Sequence, residues 1–241
     1  MSQITAMKWD REEFVRRLRA VGNERYHHLH PYHRAMNAGE LNERQIRGWI
    51  ANRFYYQRNI PIKDAAIISN CPLREVRRLW LHRITDHDGL LDTGGGGIEA
   101  WLKLGEAAGL TREELLDERH VLPGVRFAVD AYVTLARTKP WPVAVASSLT
   151  ELFAPDLMSQ RIAAFEKYYA WVKPAGLEYF RGRVTRAKTD SDEGLELTMV
   201  YCDTPALQNE AVRALSTKCD ILWSMLDAMQ VAYGCGHADK T

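Results

Sequence analysis

Residues 45–60 read QIRGWIANRFYYQRNI. Ile46, Trp49 and Ile50 recur at helical spacing and define an apolar face, yet the next residues on that face are Arg53 and Gln57. The same interruption recurs twice. Between Leu73 and His87, the face set by Val76, Leu79 and Trp80 continues into Arg83 and His87. Between Val212 and Tyr233, Leu215, Leu222, Met225, Leu226 and Met229 share a stripe that also contains Lys218. An unpaired charge in an apolar interior costs several kcal/mol. Helices that each turn charge toward their core face therefore predict one shared polar cavity inside an otherwise apolar bundle. Cationic groups dominate the set, so the expected occupant is an anion.

Outward from this stretch the signals stay helical. Asp10 to Val21 reads as a first helix stopped near Gly22, and residues 23–33 are too polar and irregular for a simple core helix, with Pro31 interrupting them. Asn42 caps a helix through Gln57, Pro61 is expected to kink or divide it, and residues 62–69 form a short helix of their own. Pro72 suits the first turn of a helix running to about Asp88, followed by a glycine-rich loop over 89–97. Further helices are expected at Ile98–Ala108, after Thr111, at Val125–Arg137, and from Trp141-Pro142 to before Pro155. The remainder divides into helices at 159–171, 175–188, 192–202 and 205–233, with a frayed, disordered tail at 234–241. No stretch alternates as a strand does. The expectation is an all-α compact multi-helix bundle in which residues 1–241 form a single helical catalytic domain.

The 241 residues are 46% hydrophobic and 26% charged, enough for one large core. A formal net charge of +1 points away from nucleic acid and membrane surfaces, so any anion site must concentrate basic groups locally. Cys71, Cys202, Cys219 and Cys235 lack CxxC spacing, the opening MSQITAMKWDREEF has no apolar leader core, and no apolar run approaches the roughly 18 residues of a membrane span. A cytoplasmic protein with reduced thiols is expected.

Several residues are candidates for chemistry. Arg53, Tyr56 and Gln57 fall at i, i+3 and i+4, and Lys63 follows close behind; an ion pair of Arg53 with Asp64 or Asp86 is the purely structural alternative. Arg83 and His87 stand one turn apart, with Asp86 and Asp88 placed to orient the His as a proton shuttle. Tyr132 continues the face of Val125 and Val129, and Glu151 sits in an apolar helix where a carboxylate needs a cationic partner. Tyr179 and Arg183 are again i, i+4, on a face less clearly apolar. Lys218 is the sharpest oddity, since a lysine is rarely buried unpaired. Among His27, His28, His30 and His33, a solvated loop suits His28 and His30, while Tyr26 and His27 are the stronger ligand contacts. Glu24 and His27 give one Glu-x-x-His of the kind that di-iron bundles use twice, but no second copy is present.

Taken together, HPYH at 30–33, NRFYYQ at 52–57, IPIKDAAI at 60–67, RITDHDG at 83–89 and GGIEAWLKLGEA at 96–107 resemble the pyrroloquinoline-quinone (PQQ) synthase family. The resemblance continues through ERHVLPGVRFAVDAY at 118–132, SSLTELFAP at 147–155, YFRGR at 179–183 and KCDILWSMLDAM at 218–229, from about Phe14 to Tyr233. It implies a haem-oxygenase-like helical bundle, a homodimer, and no haem, metal or flavin. It implies ring closure and O2-dependent multi-electron oxidation of a bicyclic polycarboxylate quinone precursor to PQQ, with release of hydrogen peroxide. Carried over by position, the pocket falls on Tyr26, His27, Arg53, Gln57, Lys63, Arg83, Tyr132, Glu151 and Arg161 as substrate-binding residues. His87, Tyr179, Arg183 and Lys218 become the catalytic set. One departure stands out: the family pattern has a His three residues after the Ala-Pro dipeptide, and this chain has Met158 there. A binding protein for PQQ or its precursor with impaired oxidation, and a di-iron oxidase of the same fold, are the alternatives; a haem oxygenase would need an axial His.

Overall fold

The structure is a computed structural model describing residues 7–92 and 94–235, with the side chains of residues 151, 154–156 and 185–190 outside that description. The expected disorder at 234–241 falls mostly beyond the described residues. Helix α1 spans Arg11–Arg25; Asp10 caps it by accepting from the Glu13 backbone N–H, and Phe14, Leu18, Val21 and Gly22 form its buried stripe. A 3-10 turn at His27–Leu29 leads into α2, Pro31–Ala38. The long α3, Glu43–Asn70, opens on a capping box between Asn42 and Gln45. Then come α4 (Arg74–Trp80), α5 (His82–Asp88), α6 (Gly96–Ala107), α7 (Arg112–Leu116), α8 (Pro123–Thr138) and α9 (Trp141–Ser147). A 3-10 segment at Ser148–Phe153 precedes α10 (Ala154–Tyr168), α11 (Glu178–Tyr201) and α12 (Pro205–Tyr233).

Helix α12 runs through the interior against α8, α9 and α1, and α3 packs against α8, α5 and α6. Helix α3 carries Arg53, Tyr56, Gln57, Lys63 and Asp64 and α12 carries Lys218, while α5, α6 and α11 supply the wall of the cavity described below. The core is aromatic: Trp49, Trp101, Phe165 and Phe180 form a contiguous group with ring centroids 5.4–6.3 Å apart. A smaller apolar cluster around Trp80, Ile67, Val76 and Ala144 sits under α4. Among the described residues there is no strand, only an isolated bridge between Leu90 and Gly94. No described helix is long and apolar enough to cross a membrane.

Several boundaries differ from expectation. Helix α3 runs unbroken through Pro61, which is buried; packing of the flanking turns on α8 and α5 outweighs the one backbone hydrogen bond that proline removes. Pro31 does not interrupt structure but starts α2 at its first turn, where no N–H is needed. The expected single helix to Asp88 is split at Leu81, where Ile84 N–H bonds the Leu81 carbonyl at 3.1 Å, an i to i+3 bond that tightens the turn. Pro72 lies outside α4, whose N-cap is Leu73. The two helices expected at 175–188 and 192–202 are one helix, α11 (Glu178–Tyr201), preceded by a 3-10 turn at Pro174–Leu177.

Candidate active site

Helix α3 turns Tyr56, Gln57, Lys63 and Asp64 inward over two turns, all buried. Lys63 Nζ donates to Asp64 Oδ1 at 2.5 Å and to Ser148 Oγ at 3.0 Å. Asp64 Oδ1 also accepts from Trp80 Nε1 at 2.8 Å and lies 3.8 Å from Arg83 Nε. Arg83 in turn covers the Trp80 ring, 4.3 Å from its centroid. The structural alternative, an ion pair of Arg53 with Asp64 or Asp86, is not found among the described residues; Asp64 pairs with Lys63 and Arg83. Arg53, half-buried, stacks instead on the Tyr56 ring at 3.9 Å.

Lys218 enters from α12 with no measurable exposure. Its Nζ donates to Tyr56 Oη at 2.7 Å and stands 3.3 Å from the Tyr132 ring centroid. Tyr56 and Tyr132 are parallel, with an interplanar angle of 4° and centroids 6.3 Å apart. Tyr132 Oη meets Ser148 Oγ at 3.3 Å, which joins the Lys218 and Lys63 groups into one network. Burial is the first cause raising the Tyr56 phenol above its ordinary range, so it stays a neutral partner.

His87 and Tyr179 line a cavity of about 200 Å³ with Asp86, Gly95, Gly96, Gly97 and Arg183. Tyr179 Oη donates to Gln57 Oε1 at 2.8 Å, and its ring meets Trp101 edge-on at 4.8 Å. His87 Nδ1 lies 3.2 Å from the Arg83 carbonyl. A carbonyl only accepts, so that nitrogen carries the proton and Nε2 keeps its lone pair. The ring is thus oriented by backbone, whereas Asp88 is exposed. Burial first, and then Arg183, push the His87 imidazole down to about 4, opposed by Asp64. The glycines shape this wall: a Cβ on Gly97 would stand 3.3 Å from His87 Cδ2 and 3.5 Å from Tyr179 Cε2.

On the far side, Arg161 from α10 places Nη2 3.3 Å from His33 Nε2. The His33 and His27 rings are 4.6 Å apart, and Tyr26 closes on His27 at 4.4 Å. All four residues are buried. Burial, with Arg53 next, lowers the Arg161 guanidinium to about 10, and burial also holds His27 and His33 well below their ordinary range. Glu24 is exposed while His27 is buried, so the Glu-x-x-His pair does not converge. Among the described residues, no three His, Cys, Asp or Glu side chains group so as to hold a metal ion.

Such an arrangement can bind an anion through fixed, buried cations, with a neutral imidazole lining the neighbouring cavity. A profile of the TENA/THI-4/PQQC family matches residues 15–228. The chain belongs to that family. It is 56% identical over 227 residues to the pyrroloquinoline-quinone synthase of Cronobacter sakazakii, covering 94% of this chain and 90% of the relative. The synthases of Pseudomonas aeruginosa (55%, covering 93% and 89%) and Klebsiella pneumoniae (55%, covering 92% and 88%) are similarly near. Among solved structures, a TenA homologue from Pseudomonas syringae pv. tomato has a TM-score of 0.70 at 13% identity, covering 90% of this chain and 91% of that one. A domain with a haem oxygenase-like fold from Shewanella denitrificans also has a TM-score of 0.70, at 12% identity and 95% coverage of both chains. The all-α, haem-oxygenase-like expectation is met by these folds.

Of the sequence-derived residues, His87, Tyr179 and Arg183 line the cavity, Gln57 joins it through Tyr179, and Tyr26, His27, Lys63, Arg83, Tyr132, Arg161 and Lys218 are buried in the adjoining networks, with Arg53 half-buried on Tyr56. The Glu151 side chain lies outside the described residues. Arg183 is half-buried and lines the cavity, so the weak apolar signal of its face reflects a position at the rim. His30, read as a loop residue, is 1% exposed; it caps α2 by accepting from the Tyr32 N–H, and its Nε2 lies 3.1 Å from Asp227. Sequence reasoning missed the part played by Asp64, Ser148, Trp80 and His33. The buried Lys63-Asp64 dipeptide within IPIKDAAI was a readable signal; Ser148, in a run of small residues, gave none.

Proposed function

We propose that this chain is a pyrroloquinoline-quinone synthase acting in PQQ biosynthesis. It closes a ring on the bicyclic precursor 3a-(2-amino-2-carboxyethyl)-4,5-dioxo-hexahydroquinoline-7,9-dicarboxylate and oxidises the product to PQQ. Each two-electron step passes two electrons and two protons to O2, giving hydrogen peroxide. The reading rests on the named relatives, matched over nearly the whole chain, and on one observation: buried Lys63, Arg83, Arg161 and Lys218 surround an interior with Asp64 as the buried carboxylate among the described residues. A polycarboxylate supplies the missing negative charge.

In this reading Arg53, Arg83, Arg161 and Lys218 hold carboxylates and fix the ring orientation. His87, neutral at physiological pH with Nε2 unprotonated, accepts a proton during cyclisation or quinol formation. Loss of protons makes the bound substrate electron-rich enough to reduce O2 directly. Tyr179, Arg183 and the protonated His87 then stabilise the reduced oxygen species. No haem, metal or flavin takes part; the enzyme is a cytoplasmic homodimer with O2 as co-substrate.

The test is a single turnover of metal-stripped protein with the precursor in air, followed by absorbance and a peroxide assay. PQQ with peroxide and no added metal is the expected result. Tight binding with a stalled quinol would instead assign a binding role and trace it to Met158, whose thioether moves no proton. A turnover that needs added iron would sink the cofactor-free scheme.

A further inference from the structure

Lys63 and Arg83 share the carboxylate of Asp64, so their charge is partly cancelled inside the protein. Arg161 is held differently. It is 3% exposed, and its contacts are the His33 nitrogen at 3.3 Å and the faces of Trp49 and Phe180, 4.9 Å and 5.6 Å from the guanidinium carbon. Among the described residues, no acidic group is among the influences on its charge, and its Nε–H has no hydrogen-bond partner. The neighbouring Trp49 Nε1 and His27 Nδ1 are also without one.

A guanidinium has no acceptor, so it must donate to His33. His33 Nε2 then keeps its lone pair, the ring proton sits on Nδ1, and the side chain is neutral. An aspartate or glutamate in that place would make a stronger bond, but it would also neutralise the cation. A neutral acceptor fixes the guanidinium and leaves its field intact in a low-dielectric interior.

We propose that His33 is a positioning residue: a neutral acceptor that orients Arg161 while leaving its full positive charge for a carboxylate of the bound ligand. The inference rests on the functional reading above and adds a residue to it. The unpartnered Arg161 Nε–H and Trp49 Nε1–H are donors that such an oxygen-rich ligand would satisfy.

The test compares His33→Glu, His33→Gln and His33→Leu. Glu and Gln are nearly isosteric and differ in charge; both reach the position of Nε2 with an oxygen. Thermal unfolding is measured without ligand, PQQ affinity by equilibrium dialysis, and KM against kcat with the precursor. His33→Glu is expected to melt at or above wild type, because it pairs a buried cation, yet to weaken PQQ binding about tenfold or more and raise KM with little change in kcat. His33→Leu is expected to lose affinity, and His33→Gln to rescue it. A stable His33→Glu that binds PQQ as wild type does overturns the proposal. So does a His33→Gln no better than His33→Leu, which is the deciding pair if the Glu variant fails to fold. A wild-type protein that does not bind PQQ overturns the functional reading itself, and this inference with it; variants that do not differ in a binding-competent background overturn the inference alone.

Discussion

His87 shows how much one side chain owes to its surroundings. Its ring is fixed through Nδ1 by the Arg83 carbonyl, and burial takes its pKa down to about 4. Replacing it with Asn should lower kcat by about 10²- to 10⁴-fold with a smaller effect on KM, the range expected for losing a positioned base; stopped-flow absorbance under single-turnover conditions reads this directly. Full rates in that variant would remove His87 from the proton chemistry. The same depressed pKa has a consequence for stability. Between the unfolded value of about 6.5 and the folded value, the unfolded chain binds the extra proton. Stability is therefore complete above that upper value and is lost as the pH falls toward 4, and His27 and His33 act in the same direction. The melting temperature should drop from pH 7 to pH 4.5, with a shallower slope in His87→Asn; identical slopes would mean that His87 is not buried neutral. Asp64 is the complementary case. Asp64→Asn leaves Lys63 and Arg83 without their shared anion, and a loss of about 3–5 kcal/mol is expected in chemical denaturation. The sequence displayed these charges as breaks in helical periodicity. It could not pair them, because Asp64, Trp80 and Arg83 meet only when α3, α4 and α5 pack.

At the scale of elements, the turn from α5 to α6 sets the wall of the cavity. Gly96 has φ +88°, and a Cβ there would stand 2.5 Å from Gly89 N and 2.6 Å from the His87 carbonyl. Gly94 has φ +63° but faces open space. Both positions strain an L-residue, but only Gly96 adds a backbone clash next to His87. Gly96→Ala should cost about 1–3 kcal/mol and reduce kcat/KM, while Gly94→Ala should cost about 1 kcal/mol and leave kcat/KM nearly unchanged. Thermal melts and steady-state kinetics on the two variants separate these effects; equal kinetic losses would show that backbone approach at His87 is not the controlling feature. The glycine run was legible as a loop and not as a phosphate cradle. Its contact with His87 was not, since a glycine has no side chain to betray what it approaches. Helix ends with side-chain caps, such as Asp10, Asn42, Thr111 and Thr204, were the easiest to read because the capping bond is local. The course of α3 through Pro61 was hidden because neighbouring helices, not the local chain, hold it.

For the molecule as a whole, the formal charge is only +1, but the interior gathers cations. Burying them without their ligand is costly, so the free protein should gain unusually from occupancy. PQQ at a hundred times its dissociation constant should add about 2.7 kcal/mol to the unfolding free energy, seen as an upward shift in calorimetry. No shift at that concentration would mean that PQQ does not bind the folded protein preferentially, and would remove the interior as its site.

The residues by themselves determined the helical class, most helix positions and the identity of the misplaced charges. Helical periodicity and capping act within a few residues, and a buried charge is conspicuous wherever the chain must bury it. Tertiary structure decided which charge each group faces: Asp64 for Lys63 and Arg83, a phenol and a ring face for Lys218, a neutral imidazole for Arg161. Those pairings join residues as far apart as 128 and 162 positions, and only packing brings such partners within hydrogen-bonding reach.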